Sequence, residues 1–391
     1  MHHSAIDACT ACASCVVECP VTRATRQFRG PKLLGPGLER FRLFEEDMET
    51  SIDYCSNCKT CDITCPANVP VATLNMLAKE ELYRCRGRSL RDWLLSHGEL
   101  FARLGSPIAP LTNFMLSLPL TRAVLAGLGL ANRALPAYDS ISFYRRFRAF
   151  VQERYTRKVV FFPGCYIGYN TPRVGMDLVE ILQACRIEVI VPDVICCGTP
   201  IVANGYLEKA RQKATANISV LAPYAAKGIP ILTACTSCGL MLKQEYQELF
   251  DLAGAETVAR QHYDAGEFLL EVADLPLAVP TEAAKSYIYH APCHLRAQGI
   301  GLPGLELLRR LNGLDVRSAD AGCCGIAGSY GFKKDKYAVA QTIGAGLFAS
   351  IARHPGAIAV SECGTCQWQI TQTTGRAALH PLSVLRQYLQ R

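Results

Sequence analysis

Apolar positions beyond residue 155 fall into short runs separated by longer stretches of helical period. Val159-Val-Phe-Phe162, Val189-Ile-Val191 and Ile229-Pro-Ile-Leu232 are followed by Ile288-Tyr289, Leu314-Asp-Val316 and Ala357-Ile-Ala-Val360. Between them, 174–183, 207–220 and 337–351 carry apolar residues three and four apart, the spacing of a helix with one buried face. Short apolar runs alternating with such helices predict parallel sheets covered on both faces. Functional groups in such sheets gather where the strands end at their carboxyl edges.

A different pattern occupies 104–121, 18 residues without a charge. That approaches the roughly 20 apolar residues of a membrane-spanning helix. Pro107, Pro110 and Pro119, with Ser106, Thr112, Asn113 and Ser117, would leave backbone groups unpaired in lipid, so short helices lying in a membrane interface are expected instead. The apolar character continues through 120–130, flanked by Arg103, Arg122 and Arg133, and the basic, aromatic Phe143-Tyr-Arg-Arg-Phe-Arg148 follows. Such a segment suits anionic headgroups. A core helix pair with a solvated basic face is the plainer alternative.

Cysteine changes the picture most. The 391 residues, half of them apolar, include 20 cysteines, grouped in tight units rather than as loop-closing pairs, which argues against a disulfide scaffold and for a reducing compartment. Cys9-Thr-Ala-Cys12-Ala-Ser-Cys15-Val-Val-Glu-Cys19-Pro20 has the spacing C-x2-C-x2-C-x3-C-P, and Cys55, Cys58, Cys61 and Cys65 before Pro66 repeat it. In two-cluster ferredoxins the fourth cysteine of each run crosses to the other cluster. One cubane [4Fe-4S] cluster is therefore expected on Cys9, Cys12, Cys15 and Cys65, and another on Cys55, Cys58, Cys61 and Cys19. Zinc requires neither the third and fourth cysteines at these spacings nor the proline. The 35 residues between Cys19 and Cys55, including Gly30-Pro-Lys32 and Glu39-Arg-Phe-Arg-Leu-Phe44, leave room for a helix, as in the helical rather than the β-rich ferredoxins.

A second pattern, Cys165, Cys196-Cys197-Gly198 and Cys235-Thr-Ser-Cys238, recurs 127 or 128 positions later as Cys293, Cys323-Cys324-Gly325 and Cys363-Gly-Thr-Cys366. Such regularity means duplication. Each group follows one of the apolar runs, so all five cysteines of a copy can converge on one sheet edge. Adjacent cysteines can face one site only if the backbone turns sharply, which Gly198 and Gly325 permit. The residue types admit a metal or cluster site, a redox dithiol or inert packing. Cys85 and Cys185 fit no motif and are expected to be ordinary thiols. The polar residues nearest the second set in sequence are His290, His294, Tyr330, Lys333 and Lys334. A histidine or lysine there could donate a proton to a reduced acceptor, or, as with His294 beside Cys293, hydrogen-bond a cluster sulfur.

The remaining signals mostly exclude. A net charge of +7 without a Lys/Arg tract argues against nucleic-acid binding. Residues 1–13 lack the charged start and apolar stretch of a secretory signal, so a cytoplasmic location is expected, with His2 and His3 solvated at the terminus. No G-x-G-x-x-G follows a strand, and Gly127-Leu-Gly129 lies in the amphipathic stretch, so no nucleotide loop is expected here. The chain divides into 1–82 for the two-cluster ferredoxin, 83–155 for the membrane-facing segment, and 156–275 and 276–391 for the duplicated units.

With these motifs the chain resembles the family of the C subunits of anaerobic glycerol-3-phosphate dehydrogenases across nearly its whole length. Beside the cysteines, the resemblance is carried by Gly30-Pro-Lys32, Gly35-Pro36, Glu39-Arg-Phe-Arg-Leu43, Asn204-Gly205 and Cys323-Cys-Gly-Ile-Ala-Gly-Ser-Tyr-Gly-Phe-Lys-Lys334. The iron-sulfur subunit of glycolate oxidase and the heterodisulfide reductases share the architecture. The resemblance implies a multidomain α+β fold, a helical two-[4Fe-4S] ferredoxin followed by two duplicated α/β CCG domains with parallel sheets. It implies a peripheral, monotopic protein on the cytoplasmic face of the cell membrane. Electrons would come from the A and B flavoprotein subunits, which would hold the flavin and the glycerol 3-phosphate site, and would pass to a quinone such as menaquinone. It further implies one or two non-cubane [4Fe-4S] clusters, on Cys165, Cys196, Cys197, Cys235 and Cys238 and on Cys293, Cys323, Cys324, Cys363 and Cys366. The second set is expected to be the exit to quinone, because His290, His294, Tyr330 and Lys333 there correspond to Phe162, Tyr166, Ala203 and Tyr206 in the first copy. A glycolate oxidase iron-sulfur protein or a thiol-disulfide enzyme are the alternatives.

Overall fold

The structure, a computed structural model, describes residues 8–37, 49–271, 275–277, 285–311 and 313–390; His2, His3 and the Glu39-to-Phe44 stretch expected to be helical lie outside them. Two parallel four-stranded sheets dominate. Strands β1 (Lys158–Phe161), β2 (Glu188–Ile190), β3 (Ile231–Thr233) and β4 (His262–Asp264) take the order β2-β1-β3-β4. Strands β5 (Ser286–Tyr289), β6 (Asp315–Ser318), β7 (Ile358–Val360) and β8 (Ala378–Leu379) repeat it as β6-β5-β7-β8. The registers match as well: Val160 lies opposite Ile231 in the first sheet, and Ile288 opposite Ala359 in the second. The duplication in the cysteines is thus a duplication of fold.

The apolar runs are continuous because both faces of each central strand are buried. Val159 and Phe161 enter one core, Val160 and Phe162 another, and all four are fully buried. Tyr287 and Tyr289 likewise point away from Ile288. The helices Pro172–Ala184, Leu207–Ala225 and Tyr337–Ala352 cover these faces. Strands β4 and β8 were not expected, since His262-Tyr-Asp264 and Ala378-Leu379 are too polar or too short for an apolar signal. They form because β3 and β7 present an unpaired edge, which β4 takes with three paired residues and β8 with two.

Neither sheet stands alone. One core contains Phe161, Leu232 and Phe268 from the first copy with Tyr287, Leu305 and Val360 from the second. Another joins Val21, Phe28, Met76 and Leu82 of the N-terminal region to Val202, Ala210 and Met241 of the first copy. The N-terminal region is helical, with short helices Ser14–Val17, Pro20–Ala24 and Thr60–Ile63 and the longer Val71–Arg86. Helices Gly98–Gly105, Ala109–Ser117 and Pro119–Gly127 then lead toward β1.

Candidate metal centres

The two N-terminal cysteine runs each bend through the left-handed region at matching places. Ala11 and Ala13 bracket Cys12, as Asn57 and Lys59 bracket Cys58, with φ of 58°, 65°, 52° and 60°. Non-glycine residues adopt this conformation at a cost of about 1–3 kcal/mol, and they collect at ligand clamps. The bends fold each run around a hollow. Cys9, Cys12, Cys15 and Cys65 line one, with Lys32 and Pro36. Cys19, Cys55, Cys58 and Cys61 line the other, with Pro20 and Phe28. The first opens to the surface at Cys12, whereas all four cysteines of the second are buried.

Burial decides what the second hollow can hold. It pushes the Cys58 thiol up to about 12, with Cys323 and Cys19 adding to the effect, and raises Cys55 and Cys61 as well. Four thiolates cannot share so dry a place without a cation, and a soft metal centre is what such a donor set fits.

Lys59 anchors this loop on the first sheet unit. It is 2% exposed and lies 3.3 Å from Glu245, 3.4 Å from Glu248 and 3.5 Å from Asp62, and it donates to Thr73 Oγ1 at 3.0 Å. Burial works against its charge, but Glu245, Asp62 and Glu248 outweigh that and hold its pKa above the usual lysine value. Lys59→Met would leave Glu245, fully buried, without its cation, a loss of about 3–5 kcal/mol. We expect a lower urea midpoint for Lys59→Met, partly recovered when Glu245→Gln is added.

At the sheet edges the five cysteines of each copy meet in the same order. Cys165 neighbours Cys196, which neighbours Cys197; Cys197 Sγ lies 3.4 Å from Cys238 Sγ, and Cys238 touches Cys235. In the second copy Cys293, Cys323, Cys324, Cys366 and Cys363 follow the same sequence, with Cys324 and Cys366 sulfurs 3.1 Å apart. Gly198 and Gly325 make the required turn at φ +97° and +83°. A Cβ on Gly325 would meet the Ala340 carbonyl oxygen at 1.9 Å. The ten thiols are free, not paired as disulfides.

The sites adjoin one another. Cys15 and Cys61 share an apolar cluster that links the two N-terminal hollows. Cys58 is an electrostatic neighbour of both Cys323 and Cys293. Cys235 is an electrostatic neighbour of Cys363, and half-buried Tyr166 lies among Cys363, Cys235, Cys366 and Cys165. Its ring fits because position 364 is glycine, where a Cβ would fall 2.3 Å from it. The first set in turn meets the apolar segment: the Cys196 N–H donates to Glu99 Oε1 at 2.9 Å, Glu99 pairs with Lys213 at 2.7 Å, and Tyr138 and Tyr144 are neighbours of Cys165. Glu99, Tyr138 and Asn57 carried no motif signal, because their roles come from contacts distant in sequence.

The polar residues expected near the second set do not share one opening. His294 is pinned, with Nδ1 2.9 Å from Ser237 Oγ and Nε2 2.9 Å from the Asn57 carbonyl. Lys333 forms a buried pair with Asp92 at 2.8 Å. Tyr330 is buried beside Cys55, Tyr54 and Asp53, which along with burial push its phenol far up. Lys334 is exposed, and His290 lies inside the second set beside Cys324 and Cys366.

Residues 98–127 present an apolar surface. Gly98–Ser117 and Pro119–Gly127 meet at a 77° bend, and no single helix among the described residues is long and apolar enough to cross a membrane. Leu104, Ile108, Leu111, Phe114, Leu120 and Val124 are all more than half exposed, Leu120 at 76%. The flanking residues divide. Arg133 stacks on Trp368 at 4.5 Å, and Phe143 is fully buried against Phe161, so both serve packing, whereas Arg145 and Arg148 are exposed.

Comparison with known proteins agrees with this layout. Residues 5–69 match the 4Fe-4S dicluster domain, and 159–243 and 287–371 each match the cysteine-rich domain. The C subunit of the anaerobic glycerol-3-phosphate dehydrogenase of Escherichia coli (strain K12) is 37% identical over 398 residues, covering 100% of both chains. The B subunit of the fumarate reductase (CoM/CoB) of Methanothermobacter marburgensis is 31% identical over 58% of this chain and 44% of its own. Lactate utilization protein A 2 of Bacillus cereus (strain 03BB102) is 30% identical over 45% of this chain and 74% of its own.

Proposed function

The chain belongs to the family of the C subunits of anaerobic glycerol-3-phosphate dehydrogenase, iron-sulfur components of an oxidoreductase, and from that premise we propose that it carries electrons from flavoprotein subunits to a quinone at a membrane surface. The observation that carries the reading is the unbroken succession of cysteine sites, from the surface hollow at Cys12 to the buried hollow, the second five-cysteine set and then the first. One-electron carriers held in such a row pass charge by stepping between neighbours, and each needs only thiolates and a dry setting from the protein.

In this reading Cys9, Cys12, Cys15 and Cys65 hold one cubane [4Fe-4S] cluster and Cys19, Cys55, Cys58 and Cys61 the other. The two five-cysteine sets hold non-cubane clusters, since five thiolates exceed what a cubane takes. The clusters supply the redox chemistry; the chain's own residues bind them, space them and exclude water. Electrons enter from flavin-bearing partner subunits, where the glycerol 3-phosphate site also lies, and leave from the first set. That exit differs from the one expected from sequence. It is favoured by Glu99, Tyr138 and Tyr144, which tie the first set to the segment carrying the apolar surface, whereas His290, Tyr330 and Lys333 are buried and His294 is held between Ser237 and Asn57. The exposed face of Leu111, Phe114, Leu120 and Val124 suits monotopic attachment to the cytoplasmic side of the cell membrane.

Coexpression with the flavoprotein subunits tests the reading. Glycerol 3-phosphate should reduce the iron-sulfur signals of the chain, and omitting the chain should abolish quinol formation in vesicles while dye reduction persists. Flavoprotein subunits that reduced quinone equally well without the chain would refute it.

A further inference from the structure

His290 and Phe162 occupy the same place in the two copies. Each follows the central strand of its sheet, and each backbone N–H donates to the neighbouring strand, His290 to the Val360 carbonyl at 2.8 Å and Phe162 to the Leu232 carbonyl at 2.9 Å. With the backbone held alike, both side chains project into their own cysteine set. Phe162 is fully buried in a core with Cys197 and Cys238. His290 is 2% exposed, and its ring nitrogen, Cys324 Sγ and Cys366 Sγ all lie within 4.8 Å of one another.

The chemistry of these two residues is opposite. A phenyl ring offers the first set nothing but volume. Imidazole brings a donor and an acceptor, and neither His290 nitrogen finds a partner among the described residues. Leaving a buried polar group unpaired is destabilising, so a histidine enclosed at this position is accounted for by a partner within the cysteine site. His294, the other histidine nearby, has both nitrogens committed to Ser237 and Asn57. Imidazole carries at least one N–H in either protonation state, so the ring has a hydrogen to give.

We propose that His290 donates this N–H to a sulfur of the cluster held by the second five-cysteine set, a contact the first set lacks because Phe162 stands in its place, and that this contact raises the reduction potential of the second cluster above the value it would have with a phenyl ring there. An added electron increases the negative charge on cluster sulfur, and a fixed N–H directed at that sulfur stabilises the reduced form. The five thiolates already supply the ligands, so the histidine acts as a positioning and tuning residue. The inference rests on the second set holding a cluster, which iron analysis reads separately from the potential.

The test uses the full chain purified without oxygen, with iron and sulfide measured per chain and the clusters titrated electrochemically under EPR detection. His290→Phe, which installs the residue of the first copy, should keep full iron and lower the potential of one cluster while the other three stay put. His290→Gln retains an N–H donor and should fall between His290→Phe and the native chain. With 15N-labelled histidine, the native chain should show a weak nitrogen coupling to that cluster, absent in His290→Phe. Full iron with unchanged potentials in His290→Phe would overturn the proposal. So would loss of a whole cluster in both variants, which would make His290 an iron ligand. A native chain without iron in the second set would overturn the cluster reading itself, and this inference with it.

Discussion

Replacing Cys324 with serine is expected to remove one entire cluster, lowering iron by about four atoms per chain, and to bring glycerol 3-phosphate-dependent quinone reduction to background. Cys324 stands in the middle of its row, touching Cys323 on one side and Cys366 at 3.1 Å on the other, and is 1% exposed. A hydroxyl there is a poor ligand for a soft metal, and the dry surroundings offer no water to replace it. Cys197→Ser should do the same to the first set, because Cys197 lies between Cys196 and Cys238 at 3% exposure. The sites stand in series, so either loss interrupts the path, while dye reduction at the flavin survives. Cys185→Ser serves as the control, since Cys185 belongs to neither repeated cysteine pattern, and should cost no iron. Iron and sulfide assays with parallel quinone and dye assays read all three variants. Full iron and full quinone activity in Cys324→Ser would end both the five-ligand and the serial reading.

The serial order could not have been read from the sequence, although its stations could. Cysteine spacing of two or three residues is local, and the left-handed bends that serve it at Ala11, Ala13, Asn57 and Lys59 lie inside the motifs. The strands were legible for a related reason: burial of β1 on both faces makes Val159 to Phe162 uniformly apolar. Strand β4 gave no such signal. Its ends are His262, whose Nε2 meets Thr233 Oγ1 at 2.9 Å, and Asp264, whose Oδ1 accepts from the Gly266 N–H, so these buried ends are held by hydrogen bonds to polar neighbours that no apolar pattern signals.

Adjacency between sites depends on contacts across hundreds of positions. Lys333 was expected at a quinone but is held by Asp92, and His294 bridges Ser237 and Asn57. No periodicity encodes such pairs. Arg133 was expected as a membrane flank on the strength of its neighbours, yet it also has Phe332 and Trp368 within reach of its guanidinium plane. A flat cation stacks readily on buried aromatic faces, and that preference decided its direction.

The apolar face of residues 98–127 leads to the second large expected effect. Leu111→Gln, Phe114→Gln, Leu120→Gln and Val124→Gln together should detach the complex from vesicles and abolish quinone reduction. The four side chains are 58%, 59%, 76% and 57% exposed, so substituting them removes little internal packing, and surface changes of this kind usually alter stability by no more than about 0.5 kcal/mol each. Their transfer from water into lipid, in contrast, is worth about 1.5–3 kcal/mol for each fully buried side chain. Even at half that value the four sum to several kcal/mol, a loss of binding on the order of 100-fold or more, because each 1.4 kcal/mol is about tenfold. Dye reduction by the detached complex should be unchanged, since the flavin and the cysteine sites are untouched. Vesicle flotation together with a quinone assay in the same liposomes measures both effects. If the fourfold variant still floated with vesicles and reduced quinone at the native rate, the face would be ordinary surface and the exit from the first set would have to be sought elsewhere.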